Sequence, residues 1–230
     1  MPTTISSATR ELAPPRAAAV AGVIFSLLMG VTLIIVHLAV PTNQTGSSAW
    51  LTDPNRRNAV RLACHLVPFA GIAFLWFIGV LRNRLGALED RFFASVFLGS
   101  GLLFVASLYA SAAFAAALVE TAAHGRISLL NSDACYLPRQ LAGVFLNVFA
   151  IKMAGVFMFS TCMIVLRTAI LPRWQAYSGF ACAVVLLLII TSWPWIALLF
   201  PLWMLVVSTY ILVAEFYPMR SVGIHPIATP

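Results

Sequence analysis

Residues 141 to 167 read LAGVFLNVFAIKMAGVFMFSTCMIVLR, and this stretch decides the fold class of the chain. It is mostly apolar, with the ammonium group of Lys152 near its centre. At a rise of ~1.5 Å per residue it forms a helix roughly 39 Å long, enough to cross a hydrocarbon core of ~30 Å. Lys152 then falls near the bilayer midplane, where a lysine costs about 2.5 to 3.5 kcal/mol. The stretch therefore predicts a membrane-spanning helix with one unfavourable buried charge.

The composition of the whole chain is also that of a membrane protein. Of its 230 residues, 61% are hydrophobic and 9% are charged, whereas about a quarter of the residues in soluble domains are charged. No series of alternating segments indicates a barrel. We therefore expect an all-α fold, a six-transmembrane-helix bundle, with spans at about 17–40, 59–81, 92–119, 141–166, 174–192 and 195–215.

The chain has a net charge of +7, and its basic residues lie at helix ends and form no surface block. Their distribution therefore predicts the orientation of the chain in the membrane. We therefore predict no nucleic-acid partner. With the N-terminus inside, eight arginines lie in cytoplasmic segments and five lie outside, so both termini are predicted to be cytoplasmic. Residues 1–16 are expected to be a disordered cytoplasmic lead, and 217–230 a cytoplasmic tail.

A basic stripe is predicted at the start of the second helix. Asp53 and Pro54 form a helix start, and Arg57, Arg61 and His65 then follow on one slowly turning face. Asp53 could pair with Arg57. One interpretation is an anion-attracting mouth for a phosphate, carboxylate or lipid headgroup. The other is that the arginines reach toward lipid headgroups and His65 is hydrogen-bonded within the protein.

Lys152 has no predicted acidic partner, because no Asp or Glu lies inside any predicted span. Four outcomes stay open: the side chain reaches the headgroups, it bonds Ser107 or a carbonyl freed by a proline, it is neutral, or it meets an anion from a ligand or another subunit. Asn147 lies on a different face of the same helix, and a helix that is polar on two sides is typical of a buried position.

Motifs for soluble enzyme chemistry are missing from the sequence. It contains no zinc-protease, nucleophile-elbow, P-loop or dinucleotide signature and no Cys-x-x-Cys pair, so we predict no catalytic residue, no metal and no cofactor. A disulfide between Cys64 and Cys135 is a minor alternative at the outer face.

Two stretches resemble a group of uncharacterised actinobacterial integral membrane proteins. They are HLVPFAGIAFLWFIGVLRNRLGALEDRFFASVFLGSGLLF and KMAGVFMFSTCMIVLRTAILPRWQAYSGF, and the resemblance covers roughly residues 60 to 185. It implies a multi-pass protein of a bacterial inner membrane and carries over no functional residue.

Two functional hypotheses follow. In the first, the protein binds or moves a small amphiphile, anion or lipid through an outward-opening cavity, with Arg57, Arg61 and His65 at the mouth, Lys152 at the floor and Asn147 and Ser107 as further candidates. In the second, it is a non-catalytic accessory subunit whose Lys152 meets an acidic residue of a larger complex. The expected partners are membrane lipids and, under the second hypothesis, other membrane subunits or a second copy of the chain. An intramembrane enzyme is a third possibility, without a motif to favour it.

Overall fold

A computed structural model describes residues 15–40, 49–85, 91–124, 133–168, 172–188 and 194–216. These residues form helices and short turns and contain no strand, which confirms the all-helical fold class. The helices are α1 (Pro15–Ala39), α2 (Pro54–Leu85), α3 (Arg91–Ala123), α4 (Asp133–Val144), α5 (Ile151–Thr168), α6 (Arg173–Leu188) and α7 (Leu199–Phe216). A π-helical turn, Phe145–Ala150, joins α4 and α5 into one rod, so the described residues form six rods.

Five of these rods are long and apolar enough to cross a membrane, as expected of a multi-pass membrane protein. The described part of the sixth rod, α6, has 16 residues, or about 24 Å of helix, less than the ~30 Å of a hydrocarbon core. The predicted span 174–192 continues into residues 189–193, outside the described part. The predicted tails, 1–14 and 217–230, lie outside it too. The five spans are Arg16–Ala39, Pro54–Arg82, Phe92–Ala123, Tyr136–Arg167 and Trp195–Val213.

The rods pack in an arc around an aromatic centre. Helix α1 packs against α2 and α7, α3 packs against α2 and the α4–α5 rod, and α6 packs mainly against α5. Rings from five helices meet in the middle, with centroids 4.7 to 6.2 Å apart, distances typical of favourable aromatic pairs. We call them the phenylalanine cluster: Phe25, Phe74, Phe97, Phe104, Phe157 and Phe200.

The predicted start of the second helix is confirmed, but its predicted ion pair is wrong. Helix α2 begins at Pro54, and the backbone N–H of Asn55 donates to Asp53 Oδ1 at 2.9 Å. Asp53 pairs with Arg56, at 3.4 Å between Oδ2 and Nε. Arg57 instead donates to the carbonyl oxygen of Leu51 at 3.2 Å, because the short 3₁₀ turn before α2 places that acceptor beside it.

Small and hydroxyl-bearing residues let the rods pack closely. Gly22 of α1 lies against the Ser208 and Phe77 side chains, while nothing lies within 4 Å of the position that a Cβ would take at Gly30. Ser26 donates to the carbonyl oxygen of Gly22 at 2.7 Å. Such bonds satisfy hydroxyl groups within their own helix, away from water.

Candidate functional site

A cavity of about 270 Å³ lies between α1, α2, α3 and α4, at the end of the bundle that carries Trp50 and Arg139. Its walls are almost wholly apolar. The phenylalanine cluster does not line it: Phe25, Phe74 and Phe104 stand one or two turns further along α1, α2 and α3 than the nearest wall residues. The main wall residues are Met29, Leu33, Val36, Val60, Val67, Leu108, Ala115, Leu118 and Leu146.

The polar groups of the cavity come mostly from one wall. Arg139 of α4 and Asn147 of the π-helical turn both line it. π-Helical turns are rare and occur frequently at functional sites, since the added residue rotates the side chains that follow. Ser111 of α3 also lines the cavity and donates to the carbonyl oxygen of Ala142 at 2.8 Å, which ties α4 to α3. The cavity therefore combines an apolar body with one cationic side chain and one amide.

A second hollow, of about 460 Å³, runs between α2 and α3 on the outer surface of the bundle. We call it the α2–α3 groove. At its rim Arg61 Nη2 lies 3.0 Å from Glu120 Oε1. At its other end the Tyr109 hydroxyl donates to the carbonyl oxygen of Pro68 at 3.1 Å. The remaining lining residues are Cys64, His65, Val67, Ala112, Ala113, Ala116 and Val119.

Lys152 lies in neither hollow. Its ammonium group donates to the carbonyl oxygens of Leu186 at 3.0 Å and Leu187 at 2.8 Å, in the last described turn of α6. Lys152 stands near the middle of the span Tyr136–Arg167, so these acceptors lie at membrane depth. Lys152 therefore joins α5 to α6 through two backbone carbonyls, and these two acceptors are neither Ser107 nor carbonyls freed by a proline.

The structure divides the six candidate residues between different places. Arg61 and His65 line the groove, Asn147 lines the cavity, and Arg57 bonds the turn before α2. Ser107 is buried in α3, and neither lining includes it. The predicted arrangement, a basic mouth above a Lys152 floor, is therefore not present as one site.

Sequence reasoning missed two residues that line these hollows, Arg139 and Glu120. Both are charged residues close to a predicted span boundary, where a solvated residue is the ordinary interpretation. Their position in the sequence could have identified them, because each lies at the same end of the bundle as the Arg57 to His65 stripe. Cys64, which lines both hollows, is a free thiol, and the side chain of Cys135 lies outside the described part.

Metal-binding chemistry has no support among the residues that the structure describes, which include no group of three or more His, Cys, Asp or Glu side chains placed to hold an ion. Comparison of the chain with protein-family models, with curated proteins and with solved structures found no match. The function is therefore inferred from the geometry of the cavity and the groove.

Proposed function

We propose that this protein binds a single-chain amphiphile with an anionic or polar head in the cavity, at the outer side of a bacterial inner membrane. The supporting observation is the pairing of a mainly apolar hollow with Arg139 and Asn147 on one wall. Ligand sites are typically apolar clefts with a few convergent polar groups, and this cavity has that composition.

The size of the cavity favours a small or single-chain ligand. Its volume of about 270 Å³ is just below the range of ~300 to 1,000 Å³ that is usual for drug-sized ligands. Two acyl chains would not fit without movement of the helices. A single apolar chain can lie along Leu33, Val67 and Leu108 with its head near Arg139. Guanidinium groups bind carboxylate and phosphate oxygens with two parallel hydrogen bonds, so an anionic head suits that end.

The accessory-subunit hypothesis is the second candidate. It places an acidic residue of another protein beside Lys152, whose ammonium group donates to two carbonyl oxygens of α6. Our proposal concerns binding of the ligand and does not include its transport across the membrane.

The experiment compares two alanines that are adjacent in α3. Ala115 lines the cavity, whereas Ala116 lines the groove. The protein is purified in mild detergent, and its affinity for a fluorescent fatty acid with a free carboxylate is measured for Ala115→Phe, Arg139→Gln and the control Ala116→Phe. Ala115→Phe should abolish binding because a ring fills the hollow, and Arg139→Gln should weaken binding about tenfold by removing a charge-assisted hydrogen bond.

Mass spectrometry of the same preparations gives an independent measurement. A small amphiphile should co-purify with the wild type and with Ala116→Phe, and should be lost from Ala115→Phe. Equal binding of the fatty acid by all variants would overturn the proposal. A stoichiometric co-purifying protein, with no bound small molecule, would instead favour the accessory subunit.

A further inference from the structure

We propose that the α2–α3 groove is a second binding site, for a membrane phospholipid whose zwitterionic headgroup carries a primary amine, such as phosphatidylethanolamine. This site does not depend on the amphiphile in the cavity. The proposal combines three observations: the polarity of the rim, an N–H group without an acceptor, and the shape of the groove below it.

The groove faces the lipid. On α2, the large side chains Leu62, Phe69 and Ile72 flank it and are each more than half exposed. Large apolar side chains exposed on a membrane helix are solvated by acyl chains, so a hollow among them is open to the same chains. Acyl chains are therefore the molecules that reach this groove first.

The floor of the groove is made of small residues. Ala112, Ala113 and Ala116 form one face of α3 between Tyr109 and Glu120. At ~1.5 Å per residue this face is roughly 16 Å long, enough to hold a substantial part of one acyl chain against the protein. Charged groups lie beside this face at the rim of the groove. The groove therefore offers an apolar surface for an acyl chain and a charged end for a headgroup.

The rim presents one cation and one anion side by side. Arg61 and Glu120 are joined by one contact of 3.0 Å, with side chains 38% and 54% exposed. A partly exposed pair of this kind contributes little stability, about 0 to 1 kcal/mol, so its members can change partners. Phosphate can accept from Arg61, and a primary ammonium can donate to Glu120.

One donor at the rim lacks an acceptor. The Arg61 Nε–H group is shielded from solvent and has no hydrogen-bond partner in the described structure. A buried N–H group of this kind is unfavourable unless a partner arrives. A phosphate oxygen at the rim would supply that acceptor. His65, one turn deeper and exposed, is a second polar contact for the glycerol ester region.

The pair of opposite charges also selects the headgroup. An anionic headgroup without an amine would place its charge near the Glu120 carboxylate and gain nothing from it. A quaternary ammonium group has no N–H to donate, and its methyl groups hold the charge further away. A primary amine beside a phosphate complements both side chains at once.

The test measures lipid binding by native mass spectrometry of the full chain, with phosphatidylethanolamine, phosphatidylcholine and phosphatidylglycerol of identical acyl chains. The wild type should prefer phosphatidylethanolamine about tenfold, the effect of one charge-assisted hydrogen bond. Glu120→Gln should remove that preference, and Ala116→Phe should weaken binding of all three lipids because its ring fills the groove. Arg57→Gln, whose side chain bonds Leu51 outside the groove, is the matched charge control and should keep the preference.

Equal affinity of the wild type for the three lipids would overturn the proposal, as would an undiminished preference in Glu120→Gln. If Ala116→Phe does not fold, the ratio of affinities in Glu120→Gln still decides, because it is measured within one preparation. Ala115→Phe separates the two proposals: it should lose the fatty acid and keep phosphatidylethanolamine. Loss of both ligands in Ala115→Phe would contradict two separate sites.

Discussion

The ammonium nitrogen of Lys152 lies 2.8 Å from the carbonyl oxygen of Leu187, so the one lysine of the chain bonds the backbone of the neighbouring helix α6. A charge at bilayer depth is unfavourable in hydrocarbon unless polar groups surround it. The carbonyl oxygens of Leu186 and Leu187 are two such groups. The residue that looks most like a ligand site in the sequence therefore has a structural role.

Replacement of Lys152 by methionine should lower the stability of the bundle. The change keeps most of the side-chain volume but removes two hydrogen bonds from a charged donor to α6, each worth about 1.5 to 3 kcal/mol. Thermal unfolding in detergent, followed by circular dichroism, measures the loss. Lys152→Arg should retain part of the stability. An unchanged unfolding temperature in Lys152→Met would contradict a stabilising role for these two hydrogen bonds.

Two glycines of α1 should respond in opposite ways to alanine. A Cβ at Gly22 would overlap the Ser208 side chain, so Gly22→Ala should destabilise the contact between α1 and α7 by about 1 to 3 kcal/mol. Gly30→Ala meets no neighbour within 4 Å and should be neutral or slightly stabilising, since alanine favours helix. Unfolding of both variants in the same detergent tests this. Equal effects would mean that packing against Ser208 is not the cause.

The phenylalanine cluster predicts a further matched pair within α2. Phe74 is fully buried and contacts the rings of Phe25, Phe104, Phe157 and Phe200. Phe74→Ala should cost about 3 to 5 kcal/mol because it leaves a cavity among rigid rings. Phe69 is 62% exposed, and Phe69→Ala should change stability by much less. A large loss in both variants would point to a general effect on α2.

Ser111 should hold α4 in place beside the cavity. Its hydroxyl donates to Ala142 of another helix, whereas the Ser100 hydroxyl bonds within α3. Ser111→Ala should therefore lower stability by about 0.5 to 1.5 kcal/mol and weaken fatty-acid binding, while Ser100→Ala should leave binding unchanged. Fluorescence titration of both variants measures the difference. Unaltered binding in Ser111→Ala would show that the α3–α4 bond does not shape the cavity.

The charge pattern predicts that both ends of the chain are cytoplasmic. A fluorescent protein fused after residue 230 should therefore be fluorescent in bacterial cells, and an alkaline phosphatase fused at the same point should be inactive. Fusions in the 41–48 connection should give the opposite results. The reverse pattern would place the cavity and the rim of the groove on the cytoplasmic side.

The helices could be predicted from sequence because hydrophobic length is a local property. Five spans have about the expected positions, and the Asp53–Pro54 start is where local chemistry places it. The site could not be predicted, because its composition depends on which helices are neighbours. Glu120 and Arg61 are far apart in the chain and meet only because α2 and α3 pack side by side. Likewise, the acceptors of Lys152 are backbone carbonyl oxygens, and a search of the sequence for acidic side chains cannot find them.

The phenylalanine cluster also obstructs any route through the centre of the bundle. Its rings come from five helices and pack against one another one or two turns from the residues that line the cavity. A molecule that crossed the bundle through this centre would have to part the rings, and that would require several helices to move together.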